Sequence, residues 1–167
     1  FNDPQVVESI DEFGWFIRND EYVRGGAQAA ATTDFRDSPS GLFAVPPTCY
    51  LHRQASFIPA FFPDSAELGD NVDFFYFPSY EEKDLGNPVL GAGTLFSITN
   101  PSEATNVMLE YLKLPIAHEL WMAQDGFLTA HAGVNPEVYA TDAQRAMGEI
   151  ISEATTFRYD ASDLMPA

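Results

Sequence analysis

Near the start of the chain Val6, Ile10, Phe13 and Ile17 recur at helical spacing. Residues so spaced share one face of an α-helix, which predicts an amphipathic helix from residue 4 to about residue 19. Asp3-Pro4 starts it, with Asp as the capping acceptor and Pro where no amide hydrogen is needed. Asn100-x-x-Glu103, with Pro101 at the first helical position, gives a second start. Ala104, Val107, Met108, Tyr111 and Leu112 then form the stripe expected to be buried. Pro115 opens a third helix, which Gly126 ends in a loop. Thr141-x-x-Gln144 heads a fourth, with Met147, Ile150 and Ile151 on its apolar face.

Between these segments the period shortens. Pro46-Pro47 forces an extended backbone into Thr48 to His52, read as a strand. Val72 to Phe77 is too continuously apolar for a half-exposed strand, so cover on both faces is expected, with Pro78 as its end. A Gly-x-Gly turn (Gly91, Gly93) leads into a third strand, Thr94 to Ile98. The Ala-rich segment after Gly25-Gly26 has no clear assignment, and Asp37 to Gly41 is a turn cluster. Short strands alternating with helices predict an α/β lobe, a small mixed sheet flanked by helices.

The 167 residues suffice for one domain or for one lobe of a larger protein. The chain opens on Phe1 rather than Met and stops at Met165-Pro166-Ala167, so it is read as an internal fragment, residues 1–167 being incomplete at both ends. The missing signal peptide therefore says nothing about secretion. No apolar run approaches the roughly 20 residues of a membrane span.

Asp and Glu total 25 against 8 Lys and Arg, a formal charge of −17. That balance argues strongly against nucleic acid or anionic membrane as a partner and reads as a solvated acidic surface. Cys49 is alone, so no disulfide forms within the chain, and its apolar neighbours point to a buried thiol. Aromatic residues, clustered at Phe57, Phe61-Phe62 and Phe74 to Phe77, are expected to be mostly core, with a minority free to line a groove.

Catalytic motifs are scarce. His118-Glu119-Leu120-Trp121-Met122 approaches the zinc-protease pattern, but Met122 stands where the second His belongs, so His118 reads as a helix residue and no metal is expected. His52 and His131 lie too far along the chain to suggest a cluster. No Gly-x-Ser-x-Gly elbow occurs, and Gly91-Ala92-Gly93 lacks the third glycine of a dinucleotide loop and the Lys of a P-loop. That glycine turn reads as backbone open to a neutral ligand, or as relief of strain where a strand begins. Asp160 and Asp163 are the one carboxylate pair in an unusual polar stretch, either turn caps or ligand contacts. Trp121, beside Leu120, is expected in the core.

Several segments together resemble the second, C-terminal lobe of extracellular solute-binding proteins of carbohydrate ABC importers, in the branch that binds α-glucosides such as trehalose, sucrose or maltose. They are Phe13 to Phe16, Thr32 to Pro39, Cys49 to Phe57, Gly91 to Thr94, Trp121 to Leu128 and Asp160 to Pro166. The family's first lobe, and the tail beyond Pro166 that brings a further aromatic to the sugar, have no counterpart in these residues. The resemblance implies one lobe of a type II periplasmic-binding-protein-like fold. It also implies non-enzymatic capture of an oligosaccharide by hinge closure, with neither cofactor nor metal.

By the same resemblance Phe57 stands where a ring stacks on the sugar, with Gln54 as a nearby polar group. The backbone of Gly91, Ala92, Gly93 and Thr94 meets the ligand, and Tyr159 and Asp160 lie on the segment returning to the hinge. Phe57 reads equally well as core. The implied partners are a sugar and the membrane permease subunits of an importer. The implied state is a monomer, in the periplasm or anchored at the outer face of the cell membrane. Two other readings remain open: a glycoside hydrolase-related catalytic or accessory domain, and an acidic scaffold domain without a small ligand.

Overall fold

The computed structural model describes residues 2–79, 83–124 and 127–160. The expectations for Gly126, Asp163 and the stretch to Pro166 fall outside the described residues. The chain divides into two compact units, Phe1–Glu67 and Leu68–Ala167.

The first unit opens with α1 (Pro4–Ile17), placed as the sequence predicts. The Asp3 carboxylate accepts the Gln5 amide at 2.8 Å. No residue of α1 is buried, so its apolar face is uncovered among the described residues. The Ala-rich segment becomes α2 (Gly26–Thr32), begun at Gly25 in the left-handed conformation that a side chain would resist. The turn cluster forms a 3-10 helix, Ser38–Gly41, and Ile58–Phe61 forms another.

Pro39, Gly41 and Ile58 supply the buried centre of this unit. The strand expected over Thr48 to His52 does not form. The amides of Thr48 and Cys49 both turn onto the Gly41 carbonyl, at 3.0 and 3.3 Å, which uses the donors a ladder would need. Cys49 is half-buried rather than enclosed. Asp34 and Arg36 close a local clamp: the guanidinium donates at 2.9 and 2.8 Å to the two carboxylate oxygens. Those bonds hold the Asp34 carboxyl well below its usual range.

The second unit is built on a parallel pair, β1 (Pro88–Gly91) and β2 (Thr156–Tyr159), in the register Val89 with Phe157 and Gly91 with Tyr159. Parallel strands need a long crossover, and here it is helical: α3 (Glu103–Leu112), α4 (Pro115–Met122) and α5 (Asp142–Ser152). The mixed sheet expected from sequence is, among the described residues, this two-stranded parallel one. Thr94 to Ile98 forms no strand among the described residues. Val72 shares one bridge with Leu68, and the run to Phe77 alternates half-buried and exposed side chains instead of being covered on both faces. Among the described residues, neither segment has a neighbouring strand to hydrogen-bond.

Helix α3 begins later than its cap signal implied. Ser102, not Asn100, is the N-cap, its hydroxyl accepting from the Thr105 amide at 3.1 Å. Its stripe is not buried either: Val107 is 65 % and Met108 59 % exposed. Helices α4 and α5 begin where expected, at Pro115 and after the Thr141 cap. The core of this unit is Met122, Ala117 and Tyr139, with the Tyr139 ring packed on Gly148 of α5.

One titratable group in the first unit reports its own burial. His52 Nε2 lies 2.9 Å from the Ser38 hydroxyl, and burial pushes this imidazole below its ordinary value. A depressed histidine favours the neutral form in the fold, so its contribution is complete above the unfolded value near pH 6.5. It is lost as the pH falls through the folded value. Denaturant melts between pH 8 and 5 should therefore show the wild-type protein losing stability relative to His52→Gln as pH falls below about 6.5. Parallel pH profiles would show that His52 does not carry the effect.

Candidate functional site

Ligands of open parallel sheets bind beyond the carboxyl ends of the strands, where chain direction and loop position leave backbone groups free. Six of the residues expected at a site lie there or follow directly in the chain. Gly91 pairs with Tyr159 at the ends of β1 and β2, and the Asp160 amide donates to the Gly91 carbonyl at 3.0 Å. Gly93 faces Tyr159: a β-carbon on it would stand 3.8 Å from the ring, an ordinary contact. Ala92, Gly93 and Thr94 are exposed, and Asp160 is half-buried.

Gly91 has a different reason for being glycine. A β-carbon there would stand 2.6 Å from Cζ of Phe157, so the absent side chain is the space that ring occupies. Neither Gly91 nor Gly93 is among the glycines with positive φ, so relief of backbone strain explains neither. Phe157 shares a sheet face with Tyr159, and the two rings meet edge to face at 5.4 Å and 83°. Both keep a large exposed fraction, 43 % and 49 %.

Phe157 was not singled out from sequence. The signal was present in Thr156-Phe157-Arg158-Tyr159, because alternate residues of a strand share a face. The arrangement offers two perpendicular apolar ring surfaces, a carboxylate and an exposed stretch of backbone. Such a set suits a neutral ligand with apolar faces and a hydroxyl rim.

Gln54 and Phe57 belong to the first unit. Gln54 turns its carbonyl oxygen onto the Ala55 amide at 2.9 Å, a local bond. Phe57 precedes the second 3-10 helix and packs edge to face with Phe35 at 5.8 Å and Phe61 at 6.4 Å, remaining 48 % exposed. It is both a member of an aromatic cluster and a surface ring.

Two other expectations change in the second unit. Trp121 is 45 % exposed rather than core, because its ring lies on Phe96 at 6.5 Å and Phe127 at 4.9 Å without a covering layer. His118 and His131, separate in sequence, come together with ring centroids 4.9 Å apart. Among the described residues no group of three potential metal ligands forms.

The space around Gly91 and Gly93 yields a direct test. Gly91→Ala should lower stability by about 1–3 kcal/mol, the usual result of forcing extra volume into an occupied space. Gly93→Ala should stay within about 0.5 kcal/mol. Urea melts of the two variants check this, and equal losses would contradict the placement of Phe157.

No family model matches this chain, and no solved structure matches it. It is 59 % identical over 167 residues to the alpha-glucosides-binding periplasmic protein AglE of Rhizobium meliloti, covering 99 % of this chain and 36 % of that protein. It is 37 % identical over 166 residues to the osmoprotective compounds-binding protein GgtB of Synechocystis, covering 99 % of this chain and 39 % of that protein. The chain thus spans just over a third of the length of these relatives. Over nearly its whole length, it is similar to part of two proteins named for binding small solutes.

Proposed function

We propose that this chain is part of the substrate-binding component of a carbohydrate ABC importer. It captures an α-glucoside without chemical change and presents it to membrane permease subunits. Three things support the reading: the resemblance of its segments, the 59 % identity to a protein named for binding alpha-glucosides, and the ligand-accessible end of the β1–β2 pair. The last carries it, because it is an observation on this chain's own residues.

A pyranose presents C–H faces that rest well against aromatic rings and hydroxyls that need charged or backbone partners. In this reading the chain is the second lobe of a two-lobed protein of the type II binding-protein class, acting outside the cytoplasmic membrane. Tyr159 and Phe157 face the sugar ring, Asp160 accepts from hydroxyls, and the backbone from Gly91 to Thr94 completes this wall. Closure on the ligand follows from hinge motion between the lobes.

Isothermal titration of the full-length protein with trehalose, sucrose and maltose tests the reading. The expected result is heat saturating near one sugar per chain for at least one of them. Tyr159→Ala should weaken that affinity by about tenfold or more, roughly 1.4 kcal/mol. No heat with any of the three removes the α-glucoside assignment. Heat that continues long after each injection means turnover and removes the non-enzymatic one.

A further inference from the structure

The two histidines of the second unit are held in a pattern that fixes where their protons are. His118 Nε2 lies 3.0 Å from the Leu112 carbonyl, and His131 Nε2 lies 3.1 Å from the Lys113 carbonyl. A carbonyl only accepts, so both Nε2 atoms carry hydrogen and both rings cap the carboxyl end of α3. His131 Nδ1 receives the Gly133 amide hydrogen at 2.9 Å and is therefore unprotonated. His118 Nδ1 faces the Thr129 hydroxyl at 2.8 Å, and the same hydroxyl oxygen accepts the His131 amide at 3.0 Å.

The two rings respond differently to a proton. At His118 the Thr129 hydroxyl can rotate and become the acceptor, so the contact survives in reversed sense. At His131 the partner is an amide N–H, which cannot reverse. A proton taken from solvent at His131 Nδ1 sets two N–H groups against each other. The bond to the Lys113 carbonyl meanwhile strengthens, because cations are favoured at a helix carboxyl end. A side chain at residue 133 would crowd the ring, since a β-carbon there would stand 2.9 Å from His131 and 3.4 Å from Pro115.

The charged groups described around the turn make contacts of their own. On α3 and its end, the Lys113 ammonium pairs with Glu110 at 2.7 Å. On α4 the Glu119 carboxylate accepts the Asn135 amide at 2.8 Å. Beyond the loop, Glu137 lies 3.8 Å from Arg145, which also pairs with Asp142 at 2.6 Å. The Tyr139 hydroxyl accepts the Thr129 amide at 3.3 Å. Among the described residues, the second imidazole lies 4.9 Å away.

We propose that His131 is a proton-operated hinge for the turn 131–134. Neutral, it closes the turn onto Gly133 while capping α3. Protonated, it keeps the cap and opens the turn. This turn lies in the loop after α4, and its opening does not depend on the identity of the ligand.

Hydrogen exchange of the full-length protein, read amide by amide between pH 8 and 5 and corrected for intrinsic rates, tests it. Protection of the Gly133 amide should fall by about tenfold per pH unit once the imidazole protonates. The Leu114 amide, bonded to the Tyr111 carbonyl at 3.0 Å, should keep its protection and so separates turn opening from unfolding. His131→Asn supplies a non-titrating oxygen to the same amide and should show no pH dependence at Gly133. Constant protection in the wild-type protein, the same fall in His131→Asn, or a parallel fall at Leu114 would each overturn the proposal. Should that variant fail to fold, the ring nitrogen chemical shifts decide: at pH 8 His131 must carry its hydrogen on Nε2, and hydrogen on Nδ1 refutes the hinge.

Discussion

The pairing of β1 with β2 is the constraint from which the candidate site follows. Each strand is four residues long and contributes little alone. Joined in parallel through the helical crossover, they bring Gly91 beside Tyr159 and direct the Asp160 amide onto the Gly91 carbonyl. A shift of one residue in the pairing would turn Phe157 and Tyr159 to the opposite face. The close fit of the Phe157 ring over Gly91 opposes such a shift, since any residue with a β-carbon at that point would meet the ring. Packing of a glycine against an aromatic thus holds the register on which the polar groups depend.

What could be read in the sequence was what the chain decides locally. The Asp3 and Thr141 caps and the Pro115 start each rest on a few consecutive residues, and each appears where those residues indicate. The α3 start was misread because Asn100 and Ser102 both precede acceptable first turns. The nearer hydroxyl reaches the Thr105 amide, while the Asn100 carbonyl instead accepts the Thr105 hydroxyl at 3.2 Å. Strands were less legible, for a physical reason. A strand is defined by a partner elsewhere in the chain, and apolar alternation does not reveal whether that partner is present. Thr94 to Ile98 has the composition of a strand but no neighbour among the described residues, whereas Pro88–Gly91, with its Pro and Gly, has the neighbour.

The same distinction runs through the site. Tyr159, Asp160 and the glycine turn were marked by resemblance, and the structure places them at one end of one strand pair. Phe157 required knowing that Thr156–Tyr159 is a strand. The contact between His118 and His131 required knowing how the loop after α4 returns to the carboxyl end of α3. The stripe of α3 is apolar, as its spacing indicates, but it is not buried. Periodicity reports which residues share a face, and only the surroundings decide what that face meets.

The two glycines of the turn show why a motif must be divided into its atoms before it is given a role. Gly91 and Gly93 stand two residues apart and look equivalent as Gly-x-Gly. In the fold, Gly91 is filled from within by Phe157, so no ligand can use the space its missing side chain leaves. Gly93 has only a loose contact with Tyr159 and lies in the exposed stretch. Under the proposed function the first glycine positions the aromatic corner and the second leaves the backbone approachable. Selection on the first would follow protein stability, and selection on the second would follow the ligand. A relative that bound a different solute could therefore change residue 93 freely while keeping residue 91, because only the latter is tied to the pairing that holds the site together.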